Sequence, residues 1–214
     1  MPQKLKLQNV VPSYLPEKYV LNSGVWNQSF EIDSGSHFQF QALSGKGKST
    51  LINCLFGALK SYSGDITIGG ISLKTANHQQ LSSLRSSVLS CVPQGLGLFQ
   101  NLTLKENIEL KNALTKHKTE QEIAEMAEQL GINSVLHQKA STASFGQRQR
   151  AAIIRALCQP FAFLLLDEPF SHLDNDSTSA SLTLILNEAE KQNASVVLTT
   201  HHSTNHPSFK AYEI

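Results

Sequence analysis

The sequence predicts an α/β protein whose core is a mostly parallel sheet and whose middle section is helical. A strand candidate at 38–42 runs through a glycine-containing turn into a helix candidate that begins at Lys48. The continuous apolar run at 161–166 is typical of a strand buried inside a parallel sheet. Strand candidates lie toward both ends of the chain, whereas residues 100–145 have helical character. Together these observations predict an α/β core that a helical insertion interrupts.

The remaining elements follow from side-chain periodicity and from capping residues. Residues 4–10 alternate polar and apolar side chains, as a half-buried strand does. Thr103 and Thr119 each precede a glutamate by three positions, which is the spacing of a capping box, so each is predicted to open a helix. The second of these helices ends at Gly131, a suitable C-cap residue. Further strands are predicted at 25–32, 64–70, 196–199 and 209–214, and further helices at 48–56, 145–158 and 176–191.

The composition limits the class of protein. Of the 214 residues 40% are hydrophobic, which is enough for a packed core, and the net charge of +1 argues against a basic nucleic-acid binder. The longest apolar run is far shorter than the roughly 18–20 residues that span a bilayer, and the start, MPQKLKLQN, has no apolar signal-peptide core. Three widely spaced cysteines without CxxC spacing predict free thiols in a reducing compartment. We therefore expect a cytosolic protein with a single core.

A phosphate-binding loop is predicted at residues 42–50, which match G-x-x-x-x-G-K-[ST] except that Ala42 replaces the first glycine. Glycines let successive backbone N–H groups face one anion, and the following helix points its positive end there. Lys48 can then reach the β- and γ-phosphates, and the Ser49 hydroxyl can ligate Mg²⁺. A plain glycine-rich turn would not need the lysine and the hydroxyl as well. The nucleotide-binding candidates of the loop are Ser44, Gly45, Lys46, Gly47, Lys48, Ser49 and Thr50.

Two further strand ends carry chemical groups. Asp167 and Glu168 follow the apolar strand candidate, and buried parallel strands deliver their last residues to the crevice where ligands bind. Asp167 is a candidate Mg²⁺ ligand, directly or through water, and Glu168 is a candidate to orient the attacking water and take its proton. A plain turn is the alternative. His201 follows a similar strand candidate and is a candidate contact for a γ-phosphate, although a lone histidine there is usually structural; His202 is interpreted as its neighbour.

The segment Ser144-Phe145-Gly146-Gln147, in isolation only a capped helix start, completes a recognisable set of motifs. It resembles the L-S-G-G-Q signature of ATP-binding cassette (ABC) ATPases, with Ala143 in place of the leucine and Phe145 in place of the first glycine. The resemblance covers nearly the whole chain in order and spacing. The matching motifs are the Walker A loop at 42–50, the Q-loop glutamine Gln94, the signature, the Walker B strand at 163–168, the D-loop at 171–174 and the switch histidine His201.

The resemblance implies a P-loop NTPase architecture. A RecA-like core at about 1–94 and 160–214 would hold the mostly parallel sheet and an N-terminal antiparallel β subdomain, and a helical, signature-bearing subdomain would occupy about 95–159. Two copies, or this chain and a sister cassette, would enclose two ATP molecules, each between the Walker A loop of one subunit and the signature of the other. Ser144 and Gly146, with Gln147, would contact the ATP held by the other subunit.

The resemblance also assigns roles to isolated residues. Gln94 would touch Mg²⁺ or the attacking water, with a surface glutamine as the alternative, and would join Lys48, Glu168 and His201 in catalysis. Asp174 would lie across the dimer interface, with a helix N-cap as the alternative. An aromatic residue ahead of the Walker A loop stacks on adenine in this family; Tyr19 is favoured over Tyr14, and strand packing is the alternative for either.

The implied activity is ATP hydrolysis that powers transport through a separate integral membrane subunit. The chain would then lie on the inner face of the cell membrane, bind no nucleic acid, and offer residues 98–103 as part of a groove for that subunit, although the apolar residues there could equally belong to the core. One alternative is an ABC ATPase that drives a mechanical or regulatory complex, for example of the cell-division type. Another is a phosphate-loop kinase, which would not need the signature.

Overall fold

The computed structural model describes residues 3–43, 45–201, 204 and 206–214, and it contains two sheets. The antiparallel sheet has the order β2-β1-β4-β5, formed by β1 (Lys4–Pro12), β2 (Ser29–Asp33), β4 (Tyr62–Ile68) and β5 (Ile71–Ser72). The parallel sheet has the order β6-β7-β8-β3-β9, formed by β3 (His37–Gln41), β6 (Leu89–Val92), β7 (Phe163–Asp167), β8 (Ser195–Thr200) and β9 (Phe209–Glu213). The α/β prediction with a mostly parallel core is therefore confirmed.

Seven α-helices connect these strands in the described part of the chain. They are α1 (Glu17–Leu21), α2 (Lys48–Leu55), α3 (His78–Ser87), α4 (Leu104–Thr115), α5 (Glu120–Gln129), α6 (Phe145–Leu157) and α7 (Asn175–Lys191), with a short 3₁₀ helix at Asn133–Val135. The helices α4 to α6 follow one another between β6 and β7, where the helical insertion was expected. No helix among the described residues is both long enough and apolar enough to cross a bilayer.

Local sequence signals placed most elements correctly. Thr103 and Thr119 both form reciprocal capping boxes and open α4 and α5 as predicted. The strand predicted from residue 25 begins only at Ser29, because Asn27 takes a φ of 57° and Val25 and Trp26 are both buried in the core instead of alternating. Helices α1 and α3 and strands β5 and β6 were not predicted.

Strand β7 lies between two hydrophobic cores. Phe163 and Leu165 pack into the core that the parallel sheet shares with the antiparallel sheet and α2. Leu164 and Leu166 point the other way, into the core beneath the helical insertion and α7. Successive side chains of a strand face opposite ways, so a strand covered on both sides reads as a continuous apolar run.

An ion pair attaches the helical insertion to the rest of the chain. The Nζ atom of Lys118, just before α5, lies 2.6 Å from Oε2 of Glu188 on α7, and the two side chains are only 7% and 4% exposed. Glu122 and Lys191 extend the pair on either side. Although burial favours the neutral carboxyl, the hydrogen bonds and charges of the two lysines keep the pKa of Glu188 below its usual value. The contact therefore holds two opposite charges inside the protein.

The parallel sheet gathers the predicted functional segments at one edge. Strands β3, β6, β7 and β8 run in the same direction, so their carboxyl ends meet there. The phosphate loop, Gln94, Glu168 and His201 each follow one of these ends. This is the position at which open parallel sheets bind ligands.

Candidate nucleotide site

The phosphate loop leads from β3 into the first turn of α2. Gly45 and Gly47 have φ values of 79° and 103°, in the left-handed region that favours glycine. A side chain at Gly47 would also meet the indole of Trp26, whose Nε1 lies 3.3 Å from the position of a Cβ atom. Ala42 has no positive φ, so alanine in place of the first glycine carries no backbone strain. Ser44 lies outside the described residues.

Lys48 lies folded against its own loop. Its Nζ donates to the backbone carbonyls of Ala42 at 2.8 Å and Leu43 at 3.3 Å, and its side chain is only 4% exposed. The same atom lies 3.3 Å from Oε1 of Glu168 and 3.2 Å from Nδ1 of His201. An ammonium group can only donate, so Nδ1 of the histidine accepts. A neutral imidazole then carries its proton on Nε2, which lies 3.0 Å from the Glu168 carboxylate.

Glu168 has an unusual backbone conformation, with a φ of 51°. Its backbone N–H donates to the carbonyl of Thr199 on β8 at 3.1 Å, so the residue is tied to the neighbouring strand. Its carboxylate joins Lys48 and His201 in one cluster. The structure thus brings together three of the four residues that sequence reasoning assigned to catalysis.

The fourth residue, Gln94, contacts Ser49 in the cleft. The Ser49 hydroxyl donates to Oε1 of Gln94 at 3.3 Å. Asp167 is buried, and its Oδ1 accepts from the hydroxyl of Thr199 at 2.7 Å. A hydroxyl, an amide oxygen and a carboxylate are oxygen ligands of the kind that Mg²⁺ prefers. The donor set therefore fits a magnesium ion that also takes oxygens from phosphate and water. Within the described ranges no group of three His, Cys, Asp or Glu side chains is arranged to hold a metal.

Among the described residues, the cleft at this edge of the sheet is lined by Gly45, Gly47, Lys48, Ser49, Thr50, Gln94 and Glu168. None of these lining residues comes from the signature segment. Ser144 is exposed and caps α6: its Oγ accepts from the backbone N–H of Gln147, and Oε1 of Gln147 accepts from the backbone N–H of Ser144. The phosphate-binding groups of one chain and its signature therefore do not form one shared cleft.

The signature packs instead on the D-loop of its own chain. The ring centres of Phe145 and His172 lie 4.2 Å apart. A Cβ atom on Gly146 would lie 3.4 Å from the carbonyl oxygen of His172, so the glycine permits this close approach. Asp174 caps α7, and its Oδ1 accepts from the backbone N–H of Ser177 at 2.7 Å. The side chain of Asp174 is thus an N-cap, as the alternative interpretation of this residue predicted.

The two candidate adenine-binding tyrosines lie in different places. The hydroxyl of Tyr14, just after β1, is 2.8 Å from the hydroxyl of Thr50 in the cleft, and 59% of Tyr14 is exposed. Tyr19 lies in α1, where Nζ of Lys18 is 5.0 Å from the centre of its ring. The structure therefore connects Tyr14, and not the favoured Tyr19, with the helix that follows the phosphate loop.

Sequence reasoning missed Gln149. This residue lies on the buried face of α6 and is only 1% exposed, and its amide reaches the backbone of Glu168. One sequence signal could have identified Gln149. It is a glutamine within an amphipathic helix, and it is followed closely by the apolar residues Ala151, Ala152, Ile153 and Ile154. His202 lies outside the described residues.

Comparison with known proteins gives a consistent result. The sequence model of the ABC transporter family matches residues 25–171. An uncharacterized ABC transporter ATP-binding protein of Bacillus subtilis strain 168, YvcR, is 35% identical over 176 residues, which are 81% of this chain and 68% of the relative. The thiamine import ATP-binding protein ThiQ of Aliivibrio fischeri is 35% identical over 188 residues, 86% of this chain and 77% of the relative.

Solved structures agree with these relatives. The dimeric structure of MJ0796, described as a bacterial ABC transporter cassette, has a TM-score of 0.83 at 25% identity and covers 98% of this chain and 94% of its own. A second dimeric structure of that cassette, in a post-hydrolysis state bound to ADP and Pi, has a TM-score of 0.78 at 27% identity and covers 92% of this chain and 88% of its own. The similarity therefore extends over both sheets and the helical insertion.

Proposed function

Since the chain belongs to the ABC transporter family and is an ATP-hydrolysing subunit that powers transport, we propose that it works as one of two cassettes that close around two ATP molecules. The two-cassette arrangement is supported by the described lining of the cleft, to which the signature of the same chain contributes no residue. The observation that carries the proposed hydrolysis is the cluster of Lys48, Glu168 and His201 at the mouth of the phosphate loop. It combines a cation, a carboxylate and an imidazole at the C-terminal edge of a parallel sheet.

Each group in the cleft has a task in hydrolysis. Lys48 and the backbone N–H groups of the loop hold the phosphates and neutralise charge that develops on them. Glu168 orients the attacking water and takes its proton, and His201 contacts the γ-phosphate. Ser49, Gln94 and Asp167 would hold Mg²⁺, which supplies charge neutralisation when it is bound. Catalysis in this scheme is mainly positioning and electrostatic stabilisation.

A second subunit supplies what the cleft of one chain lacks. Ser144, Gly146 and Gln147 are accessible at the N-terminus of α6, where backbone N–H groups and the helix dipole favour an anion. We place them on the γ-phosphate of the ATP held by the other subunit, with the D-loop residue Asp174 at the interface. This partner is a second copy or a sister cassette.

For adenine we propose Tyr14 instead of Tyr19. The hydrogen bond to Thr50 places the Tyr14 ring beside the phosphate loop, and its exposure leaves a face available for stacking. In the same scheme the chain is one cassette, with a core at about 1–94 and 160–214 and a helical subdomain at about 95–159.

The helical subdomain is the proposed docking site for a separate transmembrane subunit, which would hold the chain at the cytoplasmic face of a membrane. Phe99 supports this proposal, because it is 61% exposed while its backbone N–H and C=O are fixed by the buried amide of Asn107. Leu98, which was expected to line the same groove, is 8% exposed and belongs to the core.

The test is the oligomeric state of Glu168→Gln in saturating MgATP. Glutamine keeps the size of the side chain but cannot take a proton, so ATP should be bound and remain uncleaved. We expect a dimer in analytical ultracentrifugation with ATP and a monomer without it, while the wild type hydrolyses ATP and Lys48→Ala does not. A variant that stays monomeric while ATP is demonstrably bound would overturn the two-cassette proposal.

A further inference from the structure

Gln149 connects the signature helix to the catalytic carboxylate of the same chain. Its Nε2 lies 3.2 Å from the backbone carbonyl oxygen of Glu168. A carbonyl oxygen only accepts, so the amide nitrogen of Gln149 must face it. The other amide atom, Oε1, is buried and has no hydrogen-bond partner among the described residues. The contact with Glu168 is therefore the hydrogen bond that fixes this amide in the described part of the chain.

Glu168 needs such a restraint because of its backbone. A residue with a Cβ atom pays a conformational cost at positive φ and stays there only where its surroundings hold it. The N–H of Glu168 is held by Thr199 at 3.1 Å, and its carbonyl also accepts from the backbone N–H of Ser171 at 3.4 Å. The bond from Gln149 is the shorter of the two on the carbonyl. It therefore contributes to the direction in which the carboxylate leaves the backbone.

The same helix begins at the signature. Ser144 caps α6 and Gln149 lies five positions further on, which is about 7.5 Å along an α-helix at a rise of about 1.5 Å per residue. One rigid element thus carries the residues that face the other subunit's ATP and the residue that holds Glu168. A small movement of the N-terminus of α6 would therefore also displace the Gln149 amide that donates to the Glu168 carbonyl.

We propose that Gln149 is a positioning residue that couples occupation of the signature by the other subunit's ATP to the orientation of Glu168 in its own site. This inference rests on the proposed function, because it requires the two-cassette arrangement. It predicts that each ATP helps to activate hydrolysis of the other, so that turnover depends cooperatively on ATP concentration.

The first test replaces Gln149 with methionine, which has a similar length but cannot donate. We expect kcat to fall about tenfold, as for a misplaced catalytic group, and the Hill coefficient for ATP to fall below that of the wild type, down to the part that ATP-dependent dimerisation supplies. KM and the ATP-dependent dimer formed in the Glu168→Gln background should stay within about twofold. An unchanged kcat and Hill coefficient in the folded variant would overturn the inference.

A matched control separates positioning from packing. Gln159 is also 1% exposed, and its Nε2 donates to the backbone carbonyls of Leu89 at 2.8 Å and Arg85 at 3.2 Å, away from Glu168. We expect Gln159→Met to lower the thermal midpoint but to leave kcat within about twofold. If both methionine variants lose kcat in proportion to their loss of stability, Gln149 has a structural role only and the inference fails.

A second variant tests the donated proton directly. In Gln149→Glu the carboxyl can donate to the Glu168 carbonyl only while it is protonated. The ratio of its kcat to that of the wild type should therefore rise as pH is lowered, whereas the ratio for Gln149→Met should stay flat. Equal, flat ratios would contradict the inference. If the wild type hydrolyses no ATP, or Glu168→Gln forms no dimer, the proposed function fails instead.

Discussion

Nζ of Lys48 lies 3.3 Å from Oε1 of Glu168, and the two side chains are only 4% and 10% exposed. In the proposed mechanism, the lysine that receives the phosphates of ATP is thus paired with the carboxylate that acts on the attacking water. An incoming γ-phosphate competes with Glu168 for the same cation. We therefore expect the Glu168 carboxylate to oppose nucleotide binding, through both this competition and its own negative charge.

Removal of that charge should tighten binding. We expect Glu168→Gln to bind a non-hydrolysable ATP analogue roughly three- to tenfold more tightly than the wild type, which corresponds to about 1 kcal/mol for a screened charge pair. Isothermal titration calorimetry measures the difference. Glu31→Gln on β2 is the control, because Glu31 pairs with exposed lysines away from the cleft and should not alter the affinity. Equal or weaker binding by Glu168→Gln would contradict this relationship.

The two tyrosines can be separated by their effect on nucleotide affinity. Base–aromatic stacking is worth roughly 1–3 kcal/mol, so Tyr14→Ala should raise the Kd for ATP by at least about fivefold. Tyr14→Phe loses only the hydrogen bond to Thr50 and should stay within about threefold. Tyr19→Ala should have almost no effect. A larger loss for Tyr19→Ala than for Tyr14→Ala would restore the interpretation that the sequence favoured.

The ion pair between Lys118 and Glu188 should matter for stability more than for activity. Lys118→Met leaves the buried Glu188 carboxylate with only the exposed Lys191 as a partner, so it should lower the free energy of unfolding by about 2 kcal/mol, less than for a buried charge left with no partner. Lys118→Met combined with Glu188→Leu removes both charges and should recover part of that loss. Urea denaturation of the two variants makes the comparison. A double variant less stable than Lys118→Met alone would refute it.

Acid should destabilise the fold through two histidines. Burial lowers the pKa of His37, helped by the charge of His206, and burial together with Lys118 lowers the pKa of His117. Since the unfolded chain then binds more protons, the free energy of unfolding falls as pH drops below about 6.5, until the folded pKa is passed.

His37 offers the clearer variant, because its Nδ1 accepts from the backbone N–H of Val196 at 3.1 Å and this bond requires the unprotonated nitrogen. His37→Gln should have a flatter stability profile than the wild type between pH 7 and pH 5. Urea denaturation at several pH values measures it. Identical profiles would show that His37 does not contribute.

Much of the fold could be predicted because its signals are local. A capping box needs only residues three positions apart, so α4 and α5 began at the predicted residues. Helix α3 also has such a box, between Asn77 and Gln80, but it buries only Leu81 and Leu84 and offers little apolar periodicity. Strand β6 is four residues long and contains Ser90, whose hydroxyl donates to the carbonyl of Ala156. Short elements with few apolar residues give weak patterns.

The candidate site likewise has parts that could be predicted from the sequence and parts that could not. Motif spacing predicted that the phosphate loop, Glu168 and His201 would meet, because parallel strands end at one edge of a sheet. The choice between Tyr14 and Tyr19 depended on where the turn after β1 directs the chain, which periodicity does not encode. The bond from Gln149 to Glu168 joins two segments that are brought together only when α6 packs against β6, the strand next to β7.

The alternation of residues 163–166 between two cores has a consequence for how the protein unfolds. If one of the two cores opens, two buried side chains of β7 remain packed in the other core. Backbone amides in this strand should therefore exchange with D₂O only during complete unfolding, at the slowest rate in the chain. The helical insertion should accordingly show no separate melting transition, because its core also contains residues of β6, β7 and β8, namely Val92, Leu164, Leu166, Val196 and Leu198.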